Sequence, residues 1–404
     1  MRNISDVFCP NEECHARGHQ GKGNIQVHSR KEHRWLCKEC GKTFSDTKGT
    51  PLYRLKKDID WIQIALVLLS HGAPVIAIVK AFCVDRRTVE RLESRIGKHC
   101  EMIHGEEIAQ KREHPEVQVD EMWVKTRKGS LCLAMALATK SRLWLGATVG
   151  KRDRKLIRGI LFKVKSCITS SCLIVTDGLS TYRKALMHVF SSKVPREGKK
   201  GRSKKQREKG ILMVQLVKSY SRQGKRWVCH GAFYLRLVAG NFQQVSKKLQ
   251  ETKTKYLNTS YIERLNATFR QRMAPLARRS RNILQRDQRL LEASYFMGTF
   301  YNFCCVHQSL NKTPAMAAGI TQKVWAMEDL LFYRKFPDPW RFPKKRGRKS
   351  KSEQMIIKKW GEVLTTVKGI STKALLRTCK SCSPKQANIS LLFFHIYLFW
   401  FITC

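Results

Sequence analysis

VQVDEMWV at 117–124, LCLAMALA at 131–138, LWLGATV at 143–149 and CLIVTDG at 172–178 decide the fold of this chain. The first three read as strands, and Thr139-Lys140-Ser141 turns the last two into a hairpin. Asp153 to Lys165 has helical spacing, and Cys172 to Thr176 is a short apolar run of the kind buried on both faces. Strand, hairpin, helix, strand predicts an α/β core. Asp177 closes the buried strand ahead of Gly178, at the carboxyl end where open α/β sheets place their ligands. Asp120 closes VQVD. Period-two alternation puts Asp120 and Glu121 on opposite faces, so only Asp120 is expected to join a common site.

Further along, NTSYIERLNATFRQRM at 258–273 reads as a helix. Ile262, Leu265, Phe269 and Met273 make its buried stripe, with Glu263, Asn266 and Arg270 on an adjoining face. Ser260 stands three residues before Glu263, which a capping box would also explain. Two acids at strand ends and a third on a later helix suit phosphoryl transfer on DNA. Their hard oxygens hold Mg²⁺ or Mn²⁺, which activates the attacking hydroxyl and stabilises the leaving oxygen. Between Asp177 and Glu263 a basic insertion is expected near 193–226; its first part, 193–210, holds nine Lys and Arg and has no apolar face. A strand near 227–239, a helix near 241–250 and long helices over 259–280, 284–304 and 313–335 complete the pattern.

Upstream, Cys9-x4-Cys14 and Cys37-x2-Cys40 supply four soft ligands within a polar segment that has no core to bury them. A structural Zn²⁺ module over 7–50 is expected, with Gly41 allowing the tight turn after the second pair. Residues 58–104 read as a helix-turn-helix unit: Trp61, Ile64, Ala65, Leu68 and Leu69 mark the first helix, and Val75 to Phe82 the second. The third carries Arg86, Arg87, Thr88, Arg91 and Arg95, a basic face suited to phosphates and guanine edges in the major groove.

The chain carries 78 Lys and Arg against 31 Asp and Glu, a net charge of +47 over 404 residues. Such a field draws in polyanions, and double-stranded DNA is the expected partner rather than a small-molecule substrate. Fifteen cysteines and a short polar start from Met1 to Asp6 predict a reducing compartment, and so a cytoplasmic, DNA-associated protein, nuclear in a eukaryotic host. The apolar end, Ile389 to Cys404, is shorter than a spanning helix, so no membrane role is expected. Residues 341–404 read as a basic, weakly ordered tail containing PKKRGRKSK.

VDEMW, VTDGLSTYRKAL, NTSYIERLNATFRQRM and YNFCCVHQSLNKTPAMAAGITQKVW together resemble the DDE transposases of bacterial insertion sequences, the insertion-sequence-one group and its relatives above all. CPNEEC and CKECGKTFSDTKGTPLY resemble that group's zinc ribbon. The resemblance spans roughly residues 8–340 and departs from the group at the x4 spacing and the tail. It implies a ribonuclease-H-like catalytic domain over 114–340, preceded by the zinc ribbon and the helix-turn-helix unit. It also implies a metal triad of Asp120, Asp177 and Glu263, supported by Asn266 and Arg270, with Arg272 added to the DNA contacts. Action on terminal inverted repeats and target DNA as a homo-oligomer would follow. The rival readings are a decayed transposase kept as a DNA-binding regulator, and a nuclease that cuts without joining.

Overall fold

The computed structural model describes residues 3–127, 129–169, 171–194, 203–223, 226–252, 256–278 and 283–337. The expected tail at 341–404, with its apolar end, lies outside them. The elements in chain order are β1 (Ile25–Ser29), β2 (Arg34–Cys37), β3 (Thr43–Ser45), α1 (Ile59–Ser70), α2 (Val75–Phe82), α3 (Arg86–Ile103), β4 (Glu116–Thr126), β5 (Gly129–Ala138), β6 (Leu143–Gly150), α4 (Arg154–Cys167), β7 (Cys172–Asp177) and α5 (Thr181–Val189). There follow β8 (Ser191–Val194), β9 (Lys204–Arg207), β10 (Ile211–Gln223), β11 (Arg226–Ala239), α6 (Phe242–Thr252), α7 (Ser260–Arg272), α8 (Asp287–Phe303), α9 (Pro314–Ala317) and α10 (Met327–Phe332).

The central sheet is mixed and six-stranded, in the order β11-β10-β7-β4-β5-β6. β4, β5 and β6 form an antiparallel meander, β7 and β10 add parallel to β4, and β11 closes the edge antiparallel. The apolar runs of β5 and β7 are buried on both faces because helices cover both. α4 lies on the face of Thr148, whose methyl would meet a side chain at Gly159. α7 and α8 cover the opposite face: Phe269 lies 6.3 Å from the Trp144 ring, and a Cβ at Gly298 would stand 2.2 Å from it. α6 adds Val245 to a small cluster with Leu173, Val175, Leu212 and Val214.

Four expectations change. The basic insertion near 193–226 does not persist to its end. Ser191 to Val194 pair with Lys204 to Arg207 as the ribbon β8–β9, and Ile211 to Leu216 pair with Cys172 to Asp177 as a core strand. The run ILMV at 211–214 is buried, which outweighs the charge of its neighbours. The 58–104 unit is not a separate domain in its packing. Its buried residues Ile62, Leu66, Val89 and Ile96 belong to one core with Val117, Ile174 and Phe296. α3 lies against α8, where Ser94 donates to Glu292 at 2.6 Å. The long helix expected over 313–335 is two short ones, α9 ending before Gly319, which has a φ of +71°. α7 likewise stops at Arg272, short of Pro275.

The N-terminal module has its own small core of Val7, Ala16, Ile25, Trp35 and Phe44 around four cysteines. Among the described residues, no helix is long and apolar enough to cross a membrane.

Candidate functional site

Two clusters of ligand-type side chains stand out. In the first, β2 delivers Cys37 and a tight turn brings Cys40 back to it. Gly41, with a φ of +66°, donates its N–H to the Cys37 carbonyl at 2.8 Å. Cys9 and Cys14 come from the opposite loop. The sulfurs of Cys9 and Cys40 lie 3.7 Å apart, and those of Cys14 and Cys37 lie 3.8 Å apart. Four thiolates at about 2.3 Å from one zinc stand about 3.8 Å from each other, so the cluster fits a tetrahedral ion. Asn24 Nδ2 donates to the Cys37 sulfur at 3.6 Å, the kind of outer contact that orients a ligand. Burial pushes the Cys9 thiol well above its usual range. Left without a cation, such a group has no good charged state.

The second cluster lies where β7 ends beside the middle of β4, which does not close at Asp120 as VQVD suggests but runs on to Thr126. Asp120, Glu121 and Asp177 bring carboxylate oxygens within 4.8 Å of one another, a group that could hold a metal ion. Asp120 faces α7: its Oδ2 accepts from Asn266 Nδ2 at 2.7 Å, and its Oδ1 from the Glu121 N–H at 2.8 Å. Asp177 Oδ1 accepts from the Leu179 N–H at 3.1 Å. Burial, with Asp177 and Glu263 nearby, lifts the Asp120 carboxyl to about 6. A carboxylate so crowded is short of positive charge. Asn266 Oδ1 is also buried without a partner, so the donor set fits a bound cation.

Glu121 corrects the reading from alternation. Its side chain does leave β4 on the other face, toward α4 and α5. β7, however, ends at Asp177, and its pairing with β4 stops at Val119 and Thr176. Past that point no strand separates the two faces, and Glu121 meets the cluster. Tyr182 donates its hydroxyl to Glu121 Oε1, and Arg152 Nη2 donates to Oε2 at 3.2 Å. The same Nη2 reaches Asp177 Oδ2 at 3.5 Å. Burial and the Asp177 charge lift the Glu121 carboxyl to about 7.

Glu263 lies on α7, one turn before Asn266, near enough to raise the pKa of Asp120 yet outside the three-carboxylate group. Its Oε1 accepts from Thr259 Oγ1 at 2.9 Å, while Ser260 instead bonds Asn258. Arg270 lies within reach of Asp120 electrostatically, and Arg272 bonds the Cys305 sulfur at 3.3 Å. On α3, Arg87 and Arg91 are exposed and Thr88 is half-buried. Arg86 pairs with Glu90 at 2.8 Å. Arg95 leaves the expected face, because its guanidinium is drawn in to the Tyr53 carbonyl.

Sequence reasoning passed over two amides that set this geometry. Gln118 is fully buried; its Nε2 donates to the Asn258 carbonyl at 2.7 Å and its Oε1 accepts from the Ile262 N–H at 3.0 Å. Gln215 donates to the carbonyls of Asp177 and Leu179 at 2.8 and 2.9 Å. Each is a lone amide inside an apolar strand, and that polarity was the available signal. Nothing local marks Arg152 or Tyr182. Comparison of the chain with models of protein families finds no match, and comparison with curated proteins finds none either.

Proposed function

We propose that the chain is a DDE-type transposase that binds duplex DNA at transposon ends, then cleaves and joins strands at a divalent-metal centre. The observation that carries this reading is the pair Asp120, in the middle of β4, and Asp177, at the end of the adjacent parallel strand β7, in a chain of net charge +47. The sheet order is compatible with the ribonuclease-H-like fold implied by the resemblance, as the four cysteines are with a zinc ribbon. Asp120, Asp177 and Glu263 would hold Mg²⁺ or Mn²⁺, which polarises phosphate oxygens and lowers the pKa of an attacking hydroxyl. Asn266 keeps Asp120 turned toward α7, and the Leu179 N–H fixes Asp177. The hydrogen bond that now engages Glu263 is exposed and worth about 1 kcal/mol, too little to hold it from a cation. Arg87 and Arg91, exposed on α3, supply phosphate and base contacts. Two ends are joined by a homo-oligomer acting in the nucleoid, or in the nucleus of a eukaryotic host.

The test is joining of a 3′-ended terminal-repeat oligonucleotide to plasmid in Mg²⁺ or Mn²⁺, with binding followed in Ca²⁺. Asp120→Asn, Asp177→Asn and Glu263→Gln should each lower joining on the order of 100-fold or more while sparing binding. Wild-type joining by Glu263→Gln would remove that residue from the set. Binding without joining by the parent chain would favour the DNA-binding regulator.

A further inference from the structure

Glu121 belongs to the carboxylate group by distance, yet its surroundings assign it a different task. Its side chain is 2% exposed, and both oxygens are engaged by the protein, Oε1 by the Tyr182 hydroxyl and Oε2 by Arg152. Tyr182 is itself fully buried, so its hydroxyl has no water to turn to if Glu121 leaves. Arg152 donates to Oε2 through both Nε, at 3.4 Å, and Nη2, at 3.2 Å. Among the described residues its next polar contact is the 3.5 Å reach from Nη2 to Asp177 Oδ2. Asp177 is the more open of the two carboxylates, its side chain 41% exposed. A cation bound between Asp120 and Asp177 would compete for that longer contact and leave the Glu121 pairing in place.

Arg152 keeps 32% of its side chain exposed, and its guanidinium carbon lies 5.7 Å from the ring centre of Trp123, which is 57% exposed. The guanidinium is therefore anchored at one end and open to solvent beside the carboxylates. A planar fork in that setting matches a phosphodiester, whose non-bridging oxygens accept two parallel N–H bonds.

We propose that Arg152 is the phosphate-binding cation of this centre, and that Glu121, backed by Tyr182, is its positioning residue rather than a metal ligand. The proposal rests on the phosphoryl-transfer reading above. Attack on the phosphorus breaks one P–O bond as it forms another, and charge gathers on the non-bridging oxygens meanwhile. A guanidinium already aimed there stabilises that charge without reorganising. Glu121 holds Arg152 by the shorter contacts, so that its pair with Asp177 stays the longer one and the more readily given up to a cation.

The experiment pairs metal binding with strand joining in the full-length protein. Mn²⁺ affinity is measured calorimetrically, without DNA, for the parent, Asp120→Asn, Glu121→Gln, Arg152→Gln and the Glu121→Gln/Arg152→Gln double variant. Asp120→Asn should weaken Mn²⁺ binding at least about tenfold. Glu121→Gln should leave it within about twofold, and Arg152→Gln should leave it unchanged or tighter, since a competing cation is gone. Joining should fall on the order of 100-fold in Arg152→Gln, with Arg152→Lys restoring part of it. Glu121→Gln should cost joining in the parent and nothing further in the Arg152→Gln background, because it acts only through the arginine. A Glu121→Gln protein that loses Mn²⁺ affinity as Asp120→Asn does would overturn the proposal, as would additive losses in the double variant. Absence of joining by the parent would instead defeat the transposase reading, and the Mn²⁺ series would still decide whether Glu121 is a ligand.

Discussion

Gly97 sits in the middle of α3, where intrinsic helix propensity says that alanine should be better by about 1 kcal/mol. The packing says the opposite. A Cβ at position 97 would stand 2.4 Å from the Glu292 carbonyl oxygen, 2.6 Å from its carbon and 2.8 Å from its Cβ. Ordinary contact needs about 3.4–4 Å, so α3 and α8 must part by roughly 1 Å at their closest point. Overpacking of this kind costs typically 1–3 kcal/mol, and here the obstacle is backbone, which cannot swing aside. The same shift would stretch the 2.6 Å hydrogen bond from Ser94 to Glu292, a buried carboxylate whose lost donor costs about 1–3 kcal/mol. After subtracting the propensity gain, Gly97→Ala should destabilise the protein by about 1–5 kcal/mol. Urea denaturation followed by tryptophan fluorescence and by circular dichroism measures it. A midpoint equal to or above the parent's would refute the close-approach argument and leave propensity in charge. Ser94→Ala separates the two contributions, since it removes the hydrogen bond without moving the helices.

Two further predictions concern the metal module and acid. The purified protein should contain about one zinc, and Cys37→Ser should lose it along with the fold of residues 7–50, leaving the main core's unfolding transition in place because the two cores are separate; a folded, metal-free module by elemental analysis would contradict this. His99, His104 and His114 are held down from 6.5 to about 4, by burial in each case, with Arg112 adding its charge at His114. Their folded pKa lies below the unfolded one, so this stability is complete above pH 6.5 and drains away as pH falls toward 4, by roughly 3 kcal/mol per ring. Asp120 and Glu121, held up at about 6 and 7, run the other way in the same window, their protonation relieving a cost. Comparing parent with His104→Gln cancels that opposing contribution, and the variant should lose less thermal midpoint between pH 7 and pH 5. An identical loss in both proteins would show that His104 is already charged in the fold.

The strands that hold the site were legible because the runs at 131–138 and 172–176 are apolar throughout, and only burial on two faces makes such a run reasonable. Cys9, Cys14, Cys37 and Cys40 were legible from their spacing, although the segment does have a small core, which its polar composition hid. What failed was knowledge of neighbours. Alternation along β4 correctly sent Glu121 to the other face but could not say that the pairing of β4 with β7 stops at Val119. A helical wheel put Arg95 with Arg87 and Arg91, yet the Tyr53 carbonyl that captures it comes from a loop before α1. The strand at 211–216 was hidden by the basic run before it, since charge counts are averages and strand pairing is local.

Gln118 has a consequence for how this protein can change over time. After Asp177 the chain wanders through α5, a ribbon, two strands and α6 before α7 brings it back to the centre. Its return is registered by the Gln118 amide, which holds Asn258 and Ile262 across separations of 140 and 144 residues, and by Asn266 bonding Asp120. The docking of α7 is thus set at its point of arrival and not by the length of the excursion. The β8–β9 ribbon, which is outside the six-stranded sheet, is a place where sequence can be gained or lost while the carboxylates keep their positions. A lineage could exchange that segment for another and leave the carboxylate group intact.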